Sequence, residues 1–525
     1  MSARSVRPWA CFGLVCAAAG LAYAPSFIVP FQFDDYARII DNVPLQEGKW
    51  RAALYWLGNS RVLPSLTIIA NHVAGGDHVL GYHIVNFALH LITALGVFVL
   101  ARLLCRGPRL RDSVAARQPL VVAGVAALVM ACHPLQTQAV TYIIQRAAVM
   151  SALFYVWAVA CYARGRLAQV GAADGGASGW FVATTVLGAC ALLSKENAVS
   201  LPLALLLTEL VVIGGRPRAR VLAVGAAICG ALLLIPLTWK VATWRPLTPD
   251  TAPSSWLSYV WTAVLAQGTE PSDVTPYTYL LTQLTVVPAY LRLAVLPLGL
   301  SVDHDVPLAT GLTPPVLTGL ALLVAIFAVG LVAARRAPLV GFGTLWIFVA
   351  LSVESSVLPI SDVMMEHRVY LAMPGVGIVA GVALAWLSAR QRRAARVAVG
   401  LLGVLLVALT FARNLVWQSP VSLWLDAAEK SPAKARVLVN YGVALHGAGR
   451  LDAAARQYCR AIALDPSLTL AEENLELALD QQGKLAELTA RLAGLRIGKG
   501  VAPGSVFLEI DIPGAYCAEV VRGGS

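Results

Sequence analysis

Runs of about 20 apolar residues recur along this chain, and each is long enough for a helix to cross the hydrocarbon core of a bilayer. Residues 82–104 and 312–333 are two such runs. Of the 525 residues, 58% are hydrophobic and only 13% are charged, whereas soluble domains carry about 25% charged residues. A backbone in lipid must satisfy its own hydrogen bonds. The sequence therefore predicts an all-α, polytopic membrane helix bundle.

Arginines cluster in short segments between the apolar runs, as they do on the cytoplasmic side of membrane proteins. The segment after residue 104, with Arg106 and Arg109, is one of these clusters. The pattern predicts about 11 spans, with residues 9–29 as a retained first span, residues 221–239 as the seventh, and the C-terminal region outside. The net charge of +11 is explained by these topology signals, and no basic stripe with interleaved aromatic residues indicates nucleic acid.

The sequence does not fix whether one apolar segment crosses the membrane. Residues 279–300 contain Pro288 and Pro297 and carry Arg292. If this segment crossed the membrane, two later arginine clusters would lie outside, which the charge rule disfavours. We therefore expect a re-entrant or interfacial position for it.

A 34-residue period follows the last apolar run, where the composition becomes that of a soluble helical domain. Pro432 recurs as Pro466, and Gly449 recurs as Gly483. One period has the small residues, aromatic residue and closing proline of a tetratricopeptide repeat, at Gly442, Ala454, Tyr458, Ala461 and Pro466. The predicted organisation is a membrane domain at 1–412 with a first external loop at 31–81, helical repeats at 413–497, and a Gly-rich tail at 498–525.

Acidic and basic side chains gather on the predicted outer side, while the cytoplasmic loops carry mostly arginine. Two adjacent carboxylates, Asp34 and Asp35, directly follow the first span. Charge beside a span is costly, so this one-sided mixture indicates an active site at the outer face. Ordinary external loops would give the same asymmetry, so both interpretations stand. The other outer residues of interest are His133, Arg146, Lys195, Arg292, Glu366 and Arg368.

Short motifs stand at the ends of several predicted spans. They are His133-Pro134-Leu135-Gln136-Thr137-Gln138, then Arg146, Leu193-Ser194-Lys195-Glu196, Glu366-His367-Arg368-Val369-Tyr370-Leu371 and Arg413-Asn414-x-x-Trp417. Together with the Asp-Asp loop and the terminal repeats, this pattern resembles the TMTC-like family of transmembrane and tetratricopeptide repeat O-mannosyltransferases. That family resembles the wider GT-C superfamily of membrane glycosyltransferases. The resemblance covers roughly residues 31–466.

The resemblance implies a glycosyltransferase that moves a sugar from a polyprenyl-phosphate donor to a protein or glycan acceptor. The active face would be the periplasmic face of a bacterial inner membrane, and the composition, rich in Ala, Gly and Arg, indicates a bacterial genome. Asp34 or Asp35 is implied as the catalytic base, the first being favoured. The residues implied for the donor phosphate are Arg146, Lys195, Arg292 and Arg368, and those implied for acceptor or sugar contacts are His133 and Glu366.

These residue types suit such a transfer. The attacking hydroxyl needs a general base, which a carboxylate supplies. The leaving lipid phosphate gains charge that Arg or Lys can stabilise, and the lipid chain needs an apolar groove between helices. Two features depart from the family. Gln138 stands where the family commonly has Glu, and the repeat array is shorter than in animal members, so a different acceptor is expected.

Two other functions remain open at this point. A non-catalytic scaffold would use its repeats to recruit protein partners in envelope assembly. A transporter or flippase would need paired charges at mid-membrane, for which Glu209 is the clearest candidate. The sequence specifies no cofactor, and it leaves a divalent metal open but without support, because three adjacent polar residues such as Asp303-His304-Asp305 rarely converge on one metal ion. Cys459 and Cys517 could form a disulfide in the polar C-terminal part.

Overall fold

The computed structural model describes residues 8–58, 61–170, 177–214, 274–356, 359–486 and 516–517. It divides into two units, one within Met1–Leu300 and Val306–Leu415, the other within Ser301–Asp305 and Val416–Ser525. The predicted seventh span at 221–239 lies outside the described residues. The Gly-rich tail at 498–525 also lies outside them, except for Tyr516 and Cys517.

Helices build the first unit, because long apolar runs in lipid favour the structure that satisfies its own backbone. Its longer helices are α1 (Pro8–Ala22), α2 (Trp50–Gly58), α3 (Val62–Gly75), α4 (Val79–Leu104), α5 (Pro119–Cys132), α6 (Arg146–Val170), α7 (Ala177–Leu192), α8 (Leu201–Thr208), α9 (Pro276–Val295), α10 (Pro314–Arg336), α11 (Pro338–Leu351), α12 (Met373–Arg390) and α13 (Arg392–Val416). Short helices and turns join them, at Ala24–Ile28, Tyr36–Ile40, Val43–Gln46, Pro108–Leu110, Val114–Arg117, Pro134–Gln136, Thr137–Thr141, Ile143–Gln145, Glu196–Ser200, Glu209–Ile213 and Glu366–Val369.

Six helical stretches in the described ranges are long and apolar enough to cross a membrane. They are Val79–Leu104, Ile143–Val170, Glu196–Ile213, Pro314–Arg336, Met373–Arg390 and Arg392–Val416. Pro119–Cys132 and Pro134–Thr141 would make a seventh span, bent by 50° where Pro134 cannot continue the helix. Shorter apolar helices α1, α7 and α11 occupy three other predicted spans. The chain is a multi-pass membrane helix bundle, as predicted, and the total of eleven spans stays a prediction.

Glycines allow the closest helix packing in this unit. A Cβ atom added at Gly377 of α12 would lie 2.7 Å from the Ala126 carbonyl oxygen of α5, and one at Gly381 would lie 2.5 Å from that of Val122. Small residues let helix backbones approach each other in membranes. Helix α12 therefore packs directly against the backbone of α5.

Helix α9 runs without a break through Pro288 and ends at Val295, before Pro297. The Thr275 side chain accepts a hydrogen bond from the Thr278 backbone N–H at 3.2 Å and caps its first turn. Its inner face carries buried tyrosines and Gln283, which contact the 354–368 region. The helix is not among the six span candidates of the described chain, and its re-entrant or interfacial position stays a prediction.

Four helices form the described core of the second unit, namely α14 (Pro420–Lys430), α15 (Ala435–Gly447), α16 (Leu451–Leu464) and α17 (Thr469–Gln481). The buried Tyr458 ring fills the space that Gly442 leaves open, as the repeat spacing predicts. Cys459 and Cys517 form a disulfide with an Sγ–Sγ distance of 2.08 Å. The tetratricopeptide-type fold of this unit is therefore present.

Asp303 is part of the second unit and is held there by ion pairs. Its carboxylate lies 2.6 Å from Lys434 Nζ and 2.7 Å from Arg436 Nη2. The Ser431 hydroxyl donates to the Asp303 carbonyl at 3.1 Å. These contacts give Asp303 a structural role. The search for groups of three or more His, Cys, Asp or Glu side chains able to hold a metal found none in the described ranges.

Candidate active site

The two adjacent carboxylates after α1 have opposite environments. Phe33 has a φ of +46°, a backbone conformation that is uncommon for residues other than glycine. The following backbone N–H, that of Asp34, donates to the Tyr142 hydroxyl at 2.9 Å, and the Asp34 side chain is exposed. Asp35 is only 1% exposed. The turn therefore presents one carboxylate outward and buries the other.

The buried carboxylate holds the loop against the start of α6. The Asp35 Oδ1 atom accepts the Ile144 backbone N–H at 2.9 Å, and Oδ2 accepts the Gln32 N–H at 3.1 Å. Burial raises the pKa of Asp35 to about 7, although these backbone hydrogen bonds act in the opposite direction and the Asp34 charge adds to the rise. Asp35 thus acts as an anchor between the loop and residues 143–145.

Arg146 lies directly after this anchor and is fully buried. Its guanidinium donates to Asn86 Oδ1 at 2.6 Å, to the Tyr82 carbonyl at 3.1 Å and to Thr67 Oγ1 at 3.2 Å. It also lies 5.9 Å from the centre of the Tyr82 ring. These contacts join α3, α4 and α6. They also occupy the guanidinium of Arg146 with acceptors from the protein itself.

A second polar cluster, which we call the lysine cluster, forms between α7 and α11. Lys195 Nζ lies 2.6 Å from Glu354 Oε1, and both side chains are under 10% exposed. Asn197 donates to the other carboxylate oxygen of Glu354 at 3.2 Å. Burial lowers the pKa of Lys195, and the Glu354 charge opposes this effect. Arg61 lies nearby, 3.6 Å from Glu196.

Arg368 extends the lysine cluster across α9. Its guanidinium donates to the Tyr279 hydroxyl at 3.2 Å, to the Val363 carbonyl at 3.3 Å and to the Asp362 carbonyl. The Tyr279 hydroxyl in turn donates to the backbone carbonyl of Glu354. Arg368 is therefore joined to the Lys195–Glu354 pair through one tyrosine, and the two predicted phosphate ligands come together here.

His367 lies among the cations Lys195, Arg368 and Arg61 and is itself uncharged. Burial lowers its pKa well below the usual value, and the charges of Lys195, Arg368 and Arg61 lower it further. The Gln138 side-chain oxygen accepts the backbone N–H of His367 at 2.8 Å. The amide that departs from the family pattern thus positions the turn that carries Arg368.

The segment 137–145 connects the two parts of the site. Gln138 binds the turn with His367, and Tyr142, four residues later, accepts the hydrogen bond from the Asp34 backbone. The loop with Asp34 and the turn with Arg368 are therefore both bound to this one segment of the first unit. An exposed carboxylate and a group of buried cations are the two kinds of group that transfer from an anionic donor needs.

Of the remaining predicted site residues, Arg292 and His133 lie away from the lysine cluster, whereas Glu366 lies beside it. Arg292 is exposed in the last turn of α9, about 20 Å along the helix from Tyr279 at 1.5 Å per residue, and donates to the Leu298 carbonyl at 3.1 Å. His133 is buried, and its Nδ1 accepts the Leu135 N–H at 3.2 Å. Glu366 is 1% exposed within the turn Glu366–Val369.

Tyr142, Tyr279, Glu354 and His367 contribute to these contacts and were not predicted as site residues. Glu354 could have been recognised, because it is a carboxylate just after an apolar run, as Asp34 and Asp35 are. His367 lies inside a motif that was recognised. Nothing in the sequence distinguishes Tyr142 or Tyr279 from other tyrosines near span ends.

The motifs can be compared with known proteins now that their positions are described. No family model and no solved structure matches the chain significantly. Mouse protein O-mannosyl-transferase TMTC4 is 29% identical over 201 residues, which are 34% of this chain and 26% of that protein. Mouse TMTC2 is 32% identical over 206 residues, 36% of this chain and 22% of that protein. Fruit fly Tmtc1 is 33% identical over 143 residues, 27% of this chain and 14% of that protein.

This chain is similar to TMTC proteins over about a third of its length. The resemblance drawn from the motifs is confirmed by these relatives. The chain matches about a quarter or less of the length of each one. What these relatives act on is therefore carried over to this chain only as a proposal.

Glu209, a carboxylate within the candidate span Glu196–Ile213, is bound by the protein itself. Glu209 is fully buried, and its two oxygens accept hydrogen bonds from Arg166 at 2.6 and 2.8 Å. The Tyr162 hydroxyl donates to the same carboxylate at 3.0 Å. A carboxylate bound in this way by its own protein is typical of a structural ion pair.

Proposed function

We propose that this chain is a membrane glycosyltransferase of the GT-C type that transfers a sugar from a polyprenyl-phosphate donor to a hydroxyl group of a protein or glycan acceptor. The observation that carries the proposal is the presentation of Asp34. The exposed Asp34 is held by a left-handed turn and by Tyr142, and the turn that carries Arg368 is bound to Gln138, four residues before Tyr142. Arg368 is joined in turn through Tyr279 to the Lys195–Glu354 pair. The names of the curated relatives support the class of reaction.

In this proposal Asp34 is the general base and Asp35 positions it. Asp34 accepts the proton of the acceptor hydroxyl while the hydroxyl oxygen attacks the anomeric carbon of the sugar. The bond between that carbon and the phosphate oxygen breaks, and its electron pair leaves with the lipid phosphate. Both Asp35 oxygens already accept backbone N–H groups, so this carboxylate is poorly placed to take a proton from a substrate.

Lys195 and Arg368 are proposed to stabilise the leaving phosphate. Both are buried and joined through Tyr279 and Glu354, and buried cations act more strongly on a developing charge than solvated ones. Neutral His367, kept uncharged by burial and by the same cations, can contribute a hydrogen bond.

The other predicted ligands keep weaker support. Arg146 donates to three protein acceptors, which favours a structural role over phosphate binding. Arg292 lies at the far end of α9 and His133 caps a turn, so each would contact substrate only away from the lysine cluster. Glu366 remains a proposed contact for sugar or acceptor, because it lies beside His367 and Arg368.

We place the active face and the repeat unit on the periplasmic side of a bacterial inner membrane. The Cys459–Cys517 disulfide supports this placement, because disulfides persist in oxidising compartments and are rare in the cytosol. Its two cysteines are in the second unit, whereas the free cysteines of the described chain lie in helices or turns of the first.

The proposal is tested by sugar transfer in membranes that contain a labelled pool of polyprenyl-phosphate sugar. Asp34→Asn should lower transfer about 10²–10⁴-fold, the usual contribution of a general base. Asp35→Asn should lower it less, because the amide oxygen still accepts one of the two backbone N–H groups.

Asp41→Asn is the matched control, since Asp41 is another exposed carboxylate of the same loop, and it should transfer at the wild-type rate. Expression and thermal stability of all three variants are compared first, so that a loss of transfer is not a loss of protein. Wild-type transfer by Asp34→Asn would contradict the proposal and favour a scaffold.

A further inference from the structure

A narrow apolar groove of about 300 Å³ runs between α9, α10 and α11 of the first unit. The part contributed by α9 lies on one helix face, because Leu280, Leu284, Val287 and Leu291 are three or four residues apart. Leu323 of α10 lines the opposite side. The volume lies at the lower end of the range of small-molecule pockets, about 300–1,000 Å³.

One end of the groove is polar, and two of its polar atoms lack a hydrogen-bond partner among the described residues. Gln283, Ser352 and Ser355 line it. Gln283 is 2% exposed, and neither its Oε1 atom nor the Ser355 hydroxyl has a hydrogen-bond partner among the described residues. Buried polar atoms without partners are costly and uncommon. This end of the groove therefore suits a ligand with polar atoms of its own.

The same end adjoins the lysine cluster. Ser352 and Ser355 flank Glu354 in the sequence, and Tyr279, which donates to the Glu354 carbonyl, precedes Leu280 on α9. An apolar groove thus ends beside three cations, Arg61, Lys195 and Arg368. The acidic groups near them are Glu354, which pairs with Lys195, Glu196, which lies near Arg61, and Asp362, which lies near Arg368.

The side of α10 away from the groove is suited to lipid. Only 17% of its most apolar 18-residue stretch is buried against protein, and Leu322, next to the lining residue Leu323, is 47% exposed. A hydrocarbon ligand could therefore reach the groove from the bilayer, whereas a water-soluble sugar nucleotide has little reason to enter it.

We propose that this groove binds the isoprenoid chain of the polyprenyl phosphate, and that Glu354 is the resident anion which the lipid phosphate replaces on Lys195. The proposal rests on the proposed function for the identity of the lipid. Carboxylate and phosphate oxygens make the same charge-assisted hydrogen bonds with cations, so a position that holds Glu354 can hold a phosphate oxygen. Glu354 lies in the turn that follows α11 rather than within a helix, where a side chain can move without unwinding it.

The test is a binding titration of the purified full-length chain in nanodiscs with undecaprenyl phosphate, followed by native mass spectrometry. Leu280→Trp should weaken binding at least tenfold, equivalent to about 1.4 kcal/mol, because the larger ring enters the groove. Leu280 is 37% exposed, so the substitution should not prevent folding. Leu284→Trp, at a half-buried lining position, is the second groove variant. Leu322→Trp is the matched control on the lipid side of α10 and should bind like wild type.

Glu354→Gln tests whether the lipid phosphate replaces Glu354 on Lys195 or whether Glu354 is a fixed structural partner of that lysine. If the phosphate replaces Glu354, removing its charge should tighten binding of undecaprenyl phosphate several-fold and leave binding of uncharged undecaprenol unchanged. Weaker binding by Glu354→Gln would overturn the exchange. If Leu280→Trp and Leu284→Trp both bind undecaprenyl phosphate like wild type, the groove does not bind the isoprenoid chain. If phosphatidylglycerol competes with undecaprenyl phosphate at equal concentration, the groove binds ordinary phospholipid.

Asp34→Asn distinguishes failure of this inference from failure of the proposed function. It should bind undecaprenyl phosphate like wild type and lose sugar transfer. If it binds and also transfers, the proposed base is wrong while the groove stands. If wild type transfers sugar but the groove variants bind the lipid normally, the groove is wrong while the proposed function stands.

Discussion

At the scale of single residues, the difference between two neighbouring carboxylates is the main result. Sequence alone identified the pair, because two acidic residues beside a span are unusual. It could not show which one is accessible, because their environments are set by Tyr142 and Ile144, more than 100 residues away in the chain. Such distant hydrogen bonds leave no local pattern that could be recognised in one sequence.

The buried member of the pair predicts a pH dependence of stability. Burial raises the pKa of Asp35 from 3.8 to about 7, so between these values the folded chain holds a proton that the unfolded chain has released. The free energy of unfolding should then fall as the pH rises from about 4 to about 7, and change little from this group outside that window. Thermal unfolding of the detergent-solubilised chain at several pH values measures it.

Asp35→Asn provides the comparison, because an amide does not titrate. As the pH rises across that window, the melting temperature of wild type should fall relative to that of Asp35→Asn. The difference between wild type and Asp41→Asn should stay nearly constant. If wild type and Asp35→Asn keep a constant difference at every pH, the carboxylate is ionised throughout and does not titrate in this range.

At the scale of elements, the sequence performed best where the signal is local. Helix α5 begins at Pro119 and ends at Cys132, because a proline starts it and His133-Pro134 stops it. The lysine cluster was only half predicted. Lys195 and Arg368 were named from their motifs, but Glu354 and Tyr279 join them only through contacts between α7, α9 and α11 that periodicity does not reveal.

The repeat helices give a prediction at this scale. A Cβ atom added at Gly442 would lie 2.4 Å from Tyr458 Cε1, whereas one at Gly447, in the same helix α15, meets nothing within 4 Å. Gly442→Ala should therefore destabilise the α15–α16 pair by about 1–3 kcal/mol, the usual cost of overpacking. Gly447→Ala should be neutral or stabilise it by up to about 1 kcal/mol, because alanine restricts the unfolded chain.

Hydrogen exchange of peptides from α15 and α16, followed by mass spectrometry in the full-length chain, reports this pair directly. Peptides from α6 serve as the internal reference, since neither glycine contacts that helix. Equal protection in the two variants would mean that Tyr458 moves aside without cost, and that the glycine is not required for the repeat packing.

At the scale of the whole molecule, membrane topology follows from charge and can be checked by chemistry. An N-terminus inside and a repeat unit outside require an odd number of crossings, and the predicted eleven satisfy this condition. The described residues supply six or seven of the spans, and the predicted span at 221–239 lies outside them. Whether the number of crossings is odd or even therefore depends on segments that are predicted from hydropathy and charge. The disulfide of the second unit offers an independent measure of the side of the membrane on which that unit lies.

The last prediction concerns that disulfide. In intact cells, Cys459 and Cys517 should react with a membrane-impermeant maleimide only after a membrane-impermeant reductant has opened their bond, because the proposed topology puts both outside the cytoplasm. Cys459→Ser should leave Cys517 reactive without any reductant, which separates a closed disulfide from a merely hidden thiol. If labelling requires permeabilised cells, the repeat unit is cytoplasmic and the number of crossings is even. The charge-based assignment of the Asp34 loop to the outer face would then have to be tested separately, by labelling a cysteine placed at Asp41.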